Sequence, residues 1–163
     1  MAYLKLRVLI ACAAVLFACC QGEHRPEAPE QQAQTTSAHP GLHKLTIGET
    51  AVYVDIANNY ASRKRGLKYR KELPEDVGMI FIYPEPGIRS FWMQDTYIPL
   101  SLAYIDENGR IFQFVDMKPR DETSHSSEAP AQYVLEVNQG WFGKHGIKTG
   151  DLVNNLPSPE GAE

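Results

Sequence analysis

Between residues 41 and 157 the apolar side chains fall in short runs of period two, and a turn signal cuts each run within about ten residues. That pattern admits strands and little else. Thr50–Ala57 is the cleanest case: Val52, Val54 and Ile56 share one face, Tyr53 and Asp55 the other, as in a half-buried strand. His43–Ile47, Leu100–Ile105 and residues 78–83, 88–93, 110–117, 132–137 and 152–156 read the same way. Asp106-Glu107-Asn108-Gly109 is the strongest hairpin signal, because Asn-Gly supplies the positive φ angles of a tight turn. Pro84-Glu85-Pro86-Gly87 reads as a second turn, and residues 118–130 as a long polar loop. Two short helices are expected. One is capped by Asn58 or Asn59 and runs to about Leu67; the other is capped by Asn138 and stopped by Gly146. The fold expected is mainly β, a compact sandwich-like or barrel-like single domain with two short helices.

The amino terminus has a different character. Lys5 and Arg7 precede eleven uncharged apolar residues, Val8 to Ala18, and polar chain follows at Gln21. This is the layout of a secretory signal, and the apolar run is too short for the ~20 residues of a membrane-spanning helix. All three cysteines, Cys12, Cys19 and Cys20, lie there, so the body can hold neither a disulfide nor a thiolate metal site. Leu16-Phe17-Ala18-Cys19 resembles the lipobox of bacterial lipoproteins, although Phe17 is bulkier than that motif usually carries. The resemblance implies cleavage before Cys19, lipidation of its thiol and attachment to a membrane by acyl chains. Gln21 to Pro40 holds three prolines, four glutamines and three glutamates, and cannot bury enough apolar surface to order itself. The expected organisation is a lipoprotein signal over 1–18, a disordered tether over 19–40, a β domain over 41–157 and a disordered tail over 158–163.

Charge narrows the partners. Residues 41–157 carry 13 basic and 15 acidic side chains, a net of −2, which offers nucleic acid no general basic field. Arg63, Lys64, Arg65, Lys68, Arg70 and Lys71 form a local run. It reads either as a site for anionic headgroups or as a solvated face neutralised by Glu72, Glu75 and Asp76.

Several segments together resemble the domain of unknown function 192 family. They are Arg65-Gly66-Leu67, Gly78-Met79-Ile80-Phe81, the run from Phe91 to Thr96, Ile98-Pro99-Leu100, the run from Tyr133 to Val137, and the run from Gly146 to Asp151. The order and spacing of the segments carry the resemblance, which spans about Leu45 to Val153. It implies a compact, mostly β domain of exported or envelope proteins and supplies no reaction or ligand. Two positions depart from the family pattern. Ser101 stands where an aspartate is usual, and the long loop reads Thr123-Ser124-His125-Ser126-Ser127 where members often carry Pro-Cys.

Arg89, Trp92, Gln94, Asp95 and Thr96 are the candidate ligand-binding residues: a ring for an apolar or sugar face beside a cation, an amide, a carboxylate and a hydroxyl. The same stretch also reads structurally, with Phe91 and Met93 in the core, Trp92 as a cover, and Asp95 or Thr96 organising the turn before Pro99. No catalytic residue is assigned. The sequence has no Gly-x-Ser-x-Gly, and the serines beside His125 sit in a loop rather than a preorganised triad. No metal or cofactor is assigned either, since His24, His39, His43, His125 and His145 form no ligand pair on one element. The expected function is a lipid-anchored accessory or binding domain of the cell envelope, attached to the membrane through Cys19, its partner an envelope glycan, small ligand or protein. The alternatives are an enzyme acting on an envelope polymer by acid–base chemistry, which needs a perturbed carboxylate or histidine beside Trp92, and an assembly factor.

Overall fold

The computed structural model describes residues 39–163, so the signal, the lipidation site at Cys19 and the tether up to residue 38 lie outside the described residues. Nine strands and two helices follow in the order β1 (His43–Ile47), β2 (Thr50–Ala57), α1 (Tyr60–Arg65), β3 (Val77–Gly87), β4 (Ser90–Phe91), β5 (Leu100–Ile105), β6 (Ile111–Met117), β7 (His125–Ser126), β8 (Ala131–Asn138), α2 (Trp141–Lys144) and β9 (Val153–Asn154). Seven strands form one curled sheet, in the order β6-β5-β8-β3-β2-β1-β9. β4 and β7 pair separately. The fold is thus mainly β with two short helices, as expected, and its sheet curls into a half-barrel.

Most neighbours are antiparallel, but β2 and β3 are parallel, so the chain must cross over between them. α1 provides the crossover. Asn59 accepts from the Ser62 backbone N–H, and Ser62 returns a bond to the Asn59 N–H, a reciprocal cap that starts the helix where the sequence places it. The hairpin between β5 and β6 also forms at Asp106–Gly109, with Asp106 Oδ1 accepting from the Asn108 and Arg110 amides. The curl brings the sheet edges together at this hairpin. Arg110 bridges Leu152, and Val153 N–H donates to the Gly109 carbonyl at 2.8 Å. Gly109 has φ +80°, and a Cβ there would stand 3.0 Å from Val153 O, so both the turn and the closure need glycine.

Both faces of the central strands are covered. One face packs Leu45, Val54, Ile80, Ala103, Leu135 and Val137 under Trp141 and Phe142 of α2. The other packs Met79, Phe81, Leu102, Tyr104 and Val134 with Leu67, Leu73, Met93 and Ile98 from the connections. Central strands buried on both sides read as nearly continuous apolar runs, and in β5 every residue is buried.

The structure corrects several boundaries. Pro84-Glu85-Pro86-Gly87 is no turn. It continues β3 in extended form, with a register shift against β8 between Ile82 and Gly87 that absorbs the prolines' missing donors. The strand expected over 88–93 shrinks to Ser90–Phe91, because its partner is the two-residue β7 inside what read as loop. Asn138 ends β8 rather than capping a helix; its amide donates to the Leu73 and Pro74 carbonyls, and α2 starts after Gly140. The last strand is only Val153–Asn154. The end of the chain, read as an unstructured tail, lies back on the domain: Ala162 packs on the first core cluster and Glu163 N–H donates to Asn58 O.

Candidate functional site

A cleft of about 810 Å³ opens between α1, the far half of β3, β4 and the face of β8 that carries Val134. Its size is that of a small-molecule site. α1 and the turn after it contribute Tyr60, Arg63, Lys64, Arg65 and Lys68; β3 contributes Phe81 and Tyr83; β4 and its flanks contribute Arg89, Phe91 and Trp92. Glu136 of β8 lies at the inner end.

Strand order explains the position of Glu136. β8 sits in the middle of the sheet, between β5 and β3, and its residue 136 pairs with Met79 on one side and Leu102 on the other. The side chain therefore stands among apolar neighbours and is 4% exposed. Among the described residues no hydrogen bond or ion pair reaches its carboxyl. Burial pushes this acid up to about 8, so it is largely protonated at neutral pH. Burying an acid among apolar neighbours costs stability, which makes it an informative feature of the site.

The walls are cationic and aromatic. The guanidinium carbons of Arg63 and Arg89 lie 4.8 Å and 3.8 Å from the Tyr83 ring centroid. Arg63 also donates to Ile82 O at 2.9 Å and to the Glu163 carbonyl, and Arg89 to Ala131 O at 3.2 Å and to the Glu85 carbonyl. Burial raises the Tyr83 phenol, with the two arginines pulling the other way. Behind them Phe81, Phe91 and Tyr104 meet edge to face, and the Tyr104 hydroxyl donates to His125 O at 2.7 Å. Burial raises Tyr104 well above the ordinary phenol range.

Four of the five candidates named from sequence, Arg89, Trp92, Gln94 and Thr96, meet in this cleft. Asp95 does not. It has φ +59°, its carboxylate accepts from Lys68 Nζ at 3.4 Å, and it lines a neighbouring cleft of about 240 Å³ with Tyr97, Arg120 and Glu122. Thr96 is buried, and its hydroxyl donates to Gln94 O at 3.4 Å. Asp95 and Thr96 thus organise the turn, as the structural reading of this stretch has it. Met93 is core, whereas Trp92 is 51% exposed at the mouth. Trp92→Ala should therefore cost about 1 kcal/mol, far from the ~3–5 kcal/mol of a buried tryptophan, as read from urea unfolding midpoints.

The two departures from the family pattern stand apart from the cleft's inner end. Ser101 faces the opposite side of β5 from Leu102; its hydroxyl donates to Asp116 and accepts from the Gly140 N–H at 2.9 Å, tying hairpin to α2. The His125 segment is ordered as β7, and its neighbour Ser127 is buried and accepts from the Arg89 N–H at 3.0 Å. That bond positions β4, a role the loop reading missed. Glu136 was missed too. The available signal was an acid in step with Val134 inside the otherwise apolar run from Tyr133 to Val137.

Fold and cleft together define a small half-barrel β domain with a ligand-sized cavity on one face of its sheet. The chain belongs to the domain of unknown function 192 family, described as an uncharacterised conserved group, whose model matches residues 43–155. It is similar to a solved protein of unknown function from Novosphingobium aromaticivorans DSM 12444, at 32% identity and TM-score 0.67 over 71% of this chain and 89% of that one. It is also similar to a protein from Sinorhizobium meliloti 1021 provisionally named a transcription regulator, at 30% identity and TM-score 0.65 over 68% and 89%. No curated protein matches.

Proposed function

We propose that the chain is an exported, lipid-anchored envelope protein whose cleft binds a small polar ligand. One observation carries the binding reading: the cleft ends on Glu136, a buried carboxyl without a protein partner. A ligand hydroxyl or amide reaching it would make the hydrogen bond that no protein group makes among the described residues. The anchor rests on Leu16-Phe17-Ala18-Cys19 and the polar tether that follows. The name of the S. meliloti neighbour is not extended to this chain, whose described helices have six and four residues.

The test is a thermal-shift screen of the purified full chain against saccharides, amino acids and small organic acids. A true ligand at a hundredfold excess over its Kd should stabilise by about 2.7 kcal/mol. Trp92→Ala should abolish that shift while melting cooperatively. Failure of every compound to move the midpoint, or a shift that survives Trp92→Ala and Arg89→Ala, overturns the cleft as the site. For the anchor, Cys19→Ala should move the protein out of the membrane fraction. A cleaved, mature-sized variant that stays membrane-bound would refute lipidation there.

A second reading is favoured by the same carboxyl. A protonated glutamic acid at the inner end of a cleft is what a general acid requires. Recovery of a bound saccharide unchanged after prolonged incubation supports binding; its conversion supports catalysis.

A further inference from the structure

We propose that the cleft takes a small hydroxylated anion, of the chemistry of an acidic sugar or a sugar phosphate, with the anionic group against the α1 wall and a hydroxyl against Glu136. This deepens the binding reading and rests on it.

The charge of the walls selects an anion. Lys68 is matched by Asp95 at 3.4 Å. Lys64, Arg65 and Arg89 have no carboxylate within salt-bridge distance among the described residues, whereas Arg63 is held by the backbone oxygen of Glu163. Arg89 gives hydrogen bonds to two backbone carbonyls, which occupy two nitrogens of its guanidinium and leave the charge itself uncompensated. The carboxyls in the lining are Glu85, exposed at the rim, and Glu136. With Glu136 protonated, the cleft carries a clear excess of positive charge. A cationic ligand would be repelled by that field, and a neutral one would leave it unanswered.

The inner end selects a hydroxyl. A protonated carboxyl offers one donor and spare acceptor capacity, and a hydroxyl is complementary to both. An amine would have to take Glu136 in its ionised form, adding a buried ion pair to a wall already rich in cations. Phe81, Phe91 and Trp92 line the same cleft. Their rings suit the C–H faces of a sugar and offer nothing to a bare phosphate ion. A ligand with charge at one end, hydroxyls at the other and an apolar face matches the lining of the cleft.

The experiment is calorimetric titration of the purified full chain with five probes: glucuronate, glucose 6-phosphate, glucose, glucosamine and inorganic phosphate. Glucuronate and glucose 6-phosphate should bind at least about tenfold more tightly than the other three, and more weakly as salt rises. The charge-reversing pair Lys64→Glu and Arg65→Glu, at exposed positions, should cost a further factor of roughly ten. Glucuronate keeps a constant charge above about pH 6, so its affinity should fall from there to about pH 9 as Glu136 ionises. Glu136→Gln, which keeps a neutral donor and acceptor, should flatten that fall. The other titratable groups facing Glu136 are Tyr83 and Tyr104, both raised by burial and neutral over this range.

Equal binding of glucose or glucosamine would overturn the anion assignment and leave the cleft a binding site. Equal binding of inorganic phosphate would overturn the role of the inner end. Silence from all five would overturn the inference by itself, because the broad screen above tests the binding reading separately.

Discussion

Glu136→Leu should raise the stability of the domain, and the gain should grow as the solution becomes more alkaline. The acid has an ordinary value of 4.5 and is held at about 8 in the folded domain, because β8 buries it between Met79 and Leu102. Between these values the folded state binds more protons than the unfolded state, so stability falls as pH rises. Below about pH 4.5 the group is neutral in both states and costs nothing through its charge. Above about pH 8 the folded state carries the full cost of a buried carboxylate. The difference amounts to roughly 5 kcal/mol, a large share of what a small domain has to lose. Urea unfolding of wild type and variant from pH 5 to pH 9 measures it. The wild-type free energy should drop away from that of the leucine variant across this window, with every other titrating group cancelling in the comparison. Parallel profiles would mean that Glu136 is not buried as described. A group that destabilises the fold near neutral pH, in a cleft, is the pattern expected where function and stability pull apart.

Gly78→Ala should be the most damaging small substitution near the site. A Cβ on Gly78 would lie 2.4 Å from the Glu136 carbonyl oxygen and 2.9 Å from Val137 Cγ1. The obstacle is backbone in the central β3–β8 ladder, which cannot swing aside as a flexible side chain would. The ladder must open, so a loss of about 3 kcal/mol or more is expected, at the upper end for overpacking. Gly143→Ala is the control, since a Cβ there meets nothing within 4 Å and the residue lies in α2. Its denaturation midpoint should match or slightly exceed wild type, because alanine favours helix. If Gly78→Ala melts with the control, the close approach of β3 to β8 is not as drawn.

Much of this was legible in the chain, for reasons that can be named. The Asp106–Gly109 turn and the Asn59 cap depend on residues within a few positions of one another, so their chemistry can be read without the rest of the molecule. Alternation in Thr50–Ala57 identifies a strand because burial of one face is a local demand. Four of the five candidate residues that meet in the cleft were legible for a similar reason: aromatic, cationic, amide and hydroxyl groups crowd a single short stretch. Asp95 was the exception because adjacent residues at a turn point apart, and Lys68 and the neighbouring cleft claim it.

By itself, then, the sequence determined that the body is a β domain with two short helices and no thiol chemistry, and which stretch carries its mixed polar and aromatic groups. Tertiary structure alone decided what the central strands mean. Alternation distinguishes the two faces of a strand but not whether the second face meets solvent or protein. That depends on strand order, which brings β8 between β3 and β5 and lays Leu67, Leu73 and Met93 over their second face. Pro84 to Pro86 similarly read as a turn because the bulge that accommodates them exists only against β8. Glu136 is the clearest consequence. In the sequence it is the polar step of an alternating strand; between Met79 and Leu102 it becomes a buried acid, because residues far apart in the chain together remove the water that would have kept it ionised.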